Sequence, residues 1–126
     1  MKGLSVKKFL PGIAWFFITT LLCCMPGRNL PKIETWLDKI YFDKWVHFGF
    51  FGLLAFLFMY PLAGASLPLK RKYCYILLVF LATSLWGLAI EYIQRAVGRD
   101  FDLYDWAADS VGAIAALLFT RIRLLK

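Results

Sequence analysis

Four long apolar runs separated by short polar stretches organise this chain: Phe9 to Met25, Trp45 to Ala63, Cys74 to Val97 and Asp105 to Phe119. Roughly 20 helical residues cross a hydrocarbon core about 30 Å thick, so each run predicts one transmembrane helix. The fourth run is the shortest and opens with acids, which predicts a helix lying partly in the interface. Inside the first polar stretch, Leu30, Ile33, Trp36, Leu37 and Ile40 recur at near-helical spacing among Lys32, Glu34, Asp38 and Lys39. That spacing predicts a short amphipathic helix over 30–40, lying on the membrane or lidding a site, with Trp36 as its anchor. Pro26, Pro31, Pro61 and Pro68 fall at or beyond the predicted helix ends and Pro11 in the first turn of the first helix, where a missing amide donor does least harm. The expected fold class is all-α: a four-helix transmembrane bundle forming one domain over 1–126.

Composition agrees. A chain of 126 residues that is 61% hydrophobic has more apolar surface than a soluble domain of that size can bury. The net charge of +7 could suggest nucleic acid, but the basic residues sit in short clusters beside apolar runs, as membrane anchoring requires. Nucleic acid is therefore set aside as a partner.

The charges also sort by side. Lys2, Lys7, Lys8, Lys70, Arg71, Lys72, Arg121, Arg123 and Lys126 occupy the two ends and the second loop with no acid among them. Every acid, Glu34, Asp38, Asp43, Glu91, Asp100, Asp102, Asp105 and Asp109, falls in or just inside the first and third loops, where six further basic residues lie. The positive-inside bias places both termini in the cytoplasm and the loops Pro26 to Lys44 and Gly98 to Tyr104 outside. The first run ends in Leu21, Leu22, Cys23, Cys24 and Met25, which do not make a cleavage site of small residues, so it reads as an uncleaved first helix. Cys23, Cys24 and Cys74 have no spacing for a disulfide or a zinc site and read as small apolar filler.

Candidate chemistry gathers at the outer ends of the helices. Asp43 and His47 are four apart, which sets a carboxylate over an imidazole on one helix face. Such a pair suits a general acid or base with its orienting partner, or half of a metal site; the plainer reading has Asp43 capping the helix while His47 donates to a carbonyl. Glu91, Gln94 and Arg95 follow a long apolar run, and Ser84, Gly87 and Glu91 share a face that small residues open for close packing or a polar cavity. An intrahelical Glu91–Arg95 pair is the plainer reading there. Asp105 reads as an N-cap or first-turn acid, and Asp109 lies one turn inside an apolar segment, with Ala108, Gly112 and Ala116 forming a ridge for close approach. Tyr104 and Trp106 read as interface anchors. Arg95 and Arg99 are placed to bind phosphate or neutralise acids. These groups converge on one depth and one side, either as a functional site or as a polar network that only holds the helices together.

The string DKWVHFGFFGLLAF, then EYIQ, then GRDFDLYDWAADSVGA resembles the VanZ-like family of small bacterial membrane proteins. The match rests on Asp43, Lys44, His47, Glu91, Gln94, Arg99, Asp102, Asp105, Asp109 and Gly112 and covers roughly Asp43 to Ala116. Many members of the family carry Asn where this chain has Asp109; the extra negative charge calls for a cation or a protonated carboxyl. The namesake's link to teicoplanin resistance implies a role in the bacterial cytoplasmic membrane near envelope lipids, and supplies no settled reaction.

The expected function is therefore an outward-facing pocket that binds or acts on a lipid headgroup, a lipid-linked precursor or a lipoglycopeptide. As an enzyme it would use His47, Glu91 and Asp109 as catalytic residues, and the same three as ligands of a divalent metal ion. Asp43, Lys44, Gln94, Arg95, Arg99, Asp102 and Asp105 would contact the ligand. No serine or cysteine stands beside His47, so covalent catalysis has no support.

Overall fold

The computed structural model of the chain describes residues 4–25 and 42–124, all of whose regular structure is helical. A 3-10 turn, Val6–Phe9, leads into α1 (Leu10–Cys23), followed by α2 (Phe42–Ala63), α3 (Leu69–Ala96) and α4 (Leu103–Leu124). Three segments are long and apolar enough to cross a membrane: Val6–Cys23, Phe42–Ala63 and Leu69–Ala96. The amphipathic helix expected over 30–40, with Trp36, lies outside the described residues.

α1 is shorter than expected, whereas α2, α3 and α4 start before their expected boundaries because hydropathy marks only the hydrocarbon slab. α3 begins at Leu69, so Lys70, Arg71 and Lys72 form its first turn and not a loop, and α4 extends from Leu103 to Leu124. At about 1.5 Å per residue, the 28 residues of α3 exceed a hydrocarbon core about 30 Å thick. Pro11 sits at the start of α1 as expected, whereas Pro61 lies inside the last turn of α2.

Polarity is sorted as a bilayer requires. Leu77, Leu78, Leu81 and Leu85 of α3 and Ile114, Leu118 and Phe119 of α4 face outward, while His47, Glu91, Gln94, Asp105 and Asp109 are buried between helices. The chain is a helical membrane protein.

α4 packs most extensively on α2 and next on α3. The α2–α4 crossing is set by glycines: a Cβ on Gly52 would lie 3.1 Å from the Gly112 carbonyl oxygen, and one on Gly112 would run into the Phe48 carbonyl. This gives the ridge of Ala108, Gly112 and Ala116 its partner. Beneath the crossing, Ala55, Met59, Leu62, Ile76, Ala113 and Ala116 form one apolar core, and Cys23, Phe51, Leu54 and Ile90 form another.

α1 is held at its end by polar groups of the α3 terminus. Gly98 takes φ +84°, Gly98 N donates to Arg95 O at 3.4 Å, and Arg99 N donates to Gln94 O at 2.9 Å. This Schellman closure satisfies the last carbonyls of α3 and turns the chain back over α1. There Gln94 Nε2 and Arg99 Nη1 donate to Cys23 O at 3.0 and 2.8 Å.

Candidate functional site

The antiparallel succession of α2, α3 and α4 brings the start of α2, the end of α3 and the start of α4 to one end of the bundle, where the predicted polar residues meet. His47 does not lie under Asp43. It points into the bundle, stacked on Phe51, with Nδ1 2.8 Å from Asp109 Oδ1 and Nε2 3.6 Å from Asp105 Oδ2. Asp43 is exposed and pairs instead with Lys44, the ammonium beside it. A carboxylate at an open helix mouth is served by a mobile lysine more readily than by a ring that packing holds inward.

Lys44 gathers the rim. Its Nζ lies 2.7 Å from Asp43 Oδ2, 2.6 Å from Asp102 Oδ2 and 3.1 Å from Asp105 Oδ1. Asp102, not Asp105, caps α4: its Oδ1 accepts from Tyr104 N at 2.8 Å. Its own amide donates to Glu91 Oε2 at 3.1 Å, so this loop residue ties α2, α3 and α4 together. The ammonium of Lys44 beside it holds the Asp102 carboxyl below the usual carboxylate range.

Deeper in, Glu91 and Asp109 are fully buried and His47 nearly so. The helix that carries Glu91 makes room for Asp109: a Cβ on Gly87 would stand 2.7 Å from Asp109 Oδ2. Of the two expectations for the face of Ser84, Gly87 and Glu91, this contact is close packing. Ser84 Oγ in turn meets Ser110 Oγ at 2.8 Å, and Trp106 Nε1 donates to Ser84 O at 3.0 Å. Trp106, expected as an interface anchor, is therefore a bond between α3 and α4. Ser110 carried no signal in the sequence, since a serine one place after Asp109 has no periodic partner.

Two expected ligand contacts are committed elsewhere. Gln94 and Arg99 cap Cys23 O, and Arg95 is exposed with no ion pair to Glu91 among the described residues. Asp43, Lys44, Asp102 and Asp105 form the rim; His47, Glu91 and Asp109 form the floor.

The floor can act in two ways. Held through Nδ1 by Asp109, His47 turns Nε2 toward Asp105 at a distance too long for a hydrogen bond, the arrangement of an oriented general base. One donor atom each from His47, Glu91 and Asp109 also lie within 4.8 Å of one another, a set able to hold a metal ion. Comparison of the chain with family models, curated proteins and solved structures returns no match.

Proposed function

We propose that this chain is a four-helix transmembrane protein of the bacterial cytoplasmic membrane, VanZ-like, with both termini in the cytoplasm and an outward pocket. That pocket takes the headgroup of an envelope lipid, a lipid-linked precursor or a lipoglycopeptide. Lys7, Lys8, Lys70, Arg71, Lys72, Arg121 and Arg123 lie at the opposite end from the pocket with no acid among the described residues there, which supports this orientation.

The observation that carries the reading is a polar cluster graded from rim to floor, together with an apolar groove along two of the same helices. Asp43 and Asp102 are partly open to solvent, and Glu91 and Asp109 are sealed. A groove of about 360 Å³ then runs along the α2–α4 crossing, lined by Phe48, Gly49, Gly52, Phe56, Ala116 and Phe119 among others. Phe48, which lines it, follows His47 in α2, and no side chain of the polar cluster is among its lining residues. A headgroup in the cluster and its hydrocarbon chain in the groove would use both surfaces at once.

Native mass spectrometry of the detergent-purified protein, set against the lipid composition of the membrane extract, tests this. One phosphate-bearing lipid class should be enriched on the wild type and depleted on Lys44→Gln, at the rim, and Gly49→Leu, in the groove. A wild type that carries only the bulk mixture defeats the proposal. The second reading, a network that only joins helices, is favoured by Asp102 bridging Glu91 and Lys44; it would show as lowered melting temperatures with no change in lipid.

A further inference from the structure

We infer that the floor of the pocket is a divalent metal site, with His47, Glu91 and Asp109 as its protein ligands and zinc or manganese as its ion. The inference concerns the pocket proposed above but stands without any particular lipid.

Charge is the first reason. Five carboxylates, those of Asp43, Glu91, Asp102, Asp105 and Asp109, are linked through contacts in which Lys44 and His47 are the basic partners among the described residues. Lys44 is already spent on the rim: its ammonium lies among Asp43, Asp102 and Asp105, so that triad has its cation. Glu91 and Asp109 share only the imidazole of His47. Two carboxylates in a sealed, low-dielectric place need a further positive charge or a proton, and a metal ion supplies the first.

Unpaired oxygens are the second reason. Glu91 Oε1 and Asp109 Oδ2 are buried with no hydrogen-bond partner among the described residues, in side chains with 0% exposure. Asp109 Oδ2 is turned toward Gly87, on the helix that carries Glu91 one turn further on. Each carboxylate thus uses one oxygen to hold its position, Glu91 on Asp102 N and Asp109 on His47, and keeps the other free.

Spacing is the third. Two ligands bonded to one ion at about 2.1 Å stand about 3 Å apart. One donor atom each of His47, Glu91 and Asp109 lies within 4.8 Å of the others, and an ion that takes His47 Nδ1 displaces the proton this nitrogen now shares with Asp109 Oδ1. Imidazole beside two carboxylates favours zinc or manganese over magnesium or calcium, which prefer an all-oxygen shell. An ion here also explains how an acidic pocket would accept a phosphate, by placing a positive centre between the two.

The test uses the full chain, purified in detergent through an affinity handle free of histidine, because His47 is the only histidine in the sequence. Mn²⁺ is titrated in and followed by electron paramagnetic resonance, and Zn²⁺ content is measured by elemental analysis after gel filtration. The wild type should retain about one equivalent of either ion, and bound Mn²⁺ should show nitrogen coupling from a single imidazole. Glu91→Gln and Asp109→Asn should each weaken binding by about tenfold or more, and Asp100→Asn, at an exposed acid outside the cluster, should bind as the wild type does. If the variants unfold, the imidazole coupling on the wild type still decides. A wild type without retained ion, an ion without imidazole coupling, or charge-neutral variants that bind normally would overturn the inference. Retained ion without lipid enrichment would instead defeat the lipid reading alone.

Discussion

His47 and Asp109 stand 62 residues apart in sequence and meet at 2.8 Å between Nδ1 and Oδ1, with the imidazole stacked on Phe51 and the carboxylate fully enclosed. Removing the imidazole leaves Asp109 and Glu91 facing each other across a cavity. His47→Ala should cost on the order of 3 kcal/mol, read as a drop in melting temperature in detergent. Asp109→Asn keeps a hydrogen-bonding group against the ring and should cost about 1 kcal/mol or less. Equal melting of His47→Ala and wild type would show that the pair holds nothing together.

Three glycines give an ordered series. An alanine methyl at Gly112 meets the Phe48 backbone, which cannot step aside; at Gly87 it meets the Asp109 carboxylate, which can turn; at Gly49 it meets nothing within 4 Å. Melting should therefore fall most for Gly112→Ala and less for Gly87→Ala, at about 1–3 kcal/mol for the latter. For Gly49→Ala it should stay level or rise slightly through better helix propensity. Any other order would mean the crossing is looser than the backbone contact implies.

Acid should loosen the rim in a way that depends on Lys44. Because the Asp102 carboxyl titrates below its ordinary value of 3.8, its ion pair adds stability that is full above that value. The contribution is lost as the pH falls through the lower value of the folded state. Melting curves from neutral pH downward should show that loss in the wild type and a smaller one in Lys44→Gln. The two profiles staying parallel would place the acid sensitivity elsewhere.

The cap on α1 can be removed by itself. Gln94→Ala deletes one of the two donors to Cys23 O, a loss of about 1–2 kcal/mol for a buried carbonyl. Amide exchange should speed up in the last turn of α1 and stay unchanged around Asp109. Uniform acceleration across all helices would argue that Gln94 supports the whole bundle.

Much of this arrangement was legible in the chain, and the rest was hidden for definable reasons. Apolar runs located all four helices, because a bilayer imposes a length, but they could not reveal that α3 starts at Leu69 among basic residues, since lysines at a helix end look like a loop. Sequence spacing assembled the right residues at one end and paired several wrongly. Local i,i+4 reasoning matched Asp43 with His47 and Glu91 with Arg95, whereas the folded chain matches Asp43 with Lys44, His47 with Asp109, and Glu91 with the Asp102 amide. Partners on other helices compete with partners on the same one, and a burial preference that spacing does not encode decides between them. Arg99 reads in the sequence as a group that binds phosphate or neutralises acids because its charge is visible there and the carbonyl of Cys23, which it caps, is not.

The acids of α4 also make it dependent on its neighbours. α4 carries Asp105 and Asp109 and is not among the helices apolar enough to cross a membrane on their own account. It gains its place from α2, through the glycine crossing and His47, and from α3, through Gly87 and Ser84. α2 and α3, which precede it in the chain, form the surface on which α4 packs. His47 and Glu91 meet Asp109 only where α4 is packed against α2 and α3, so the docking of the last described helix and the assembly of the polar cluster are a single event.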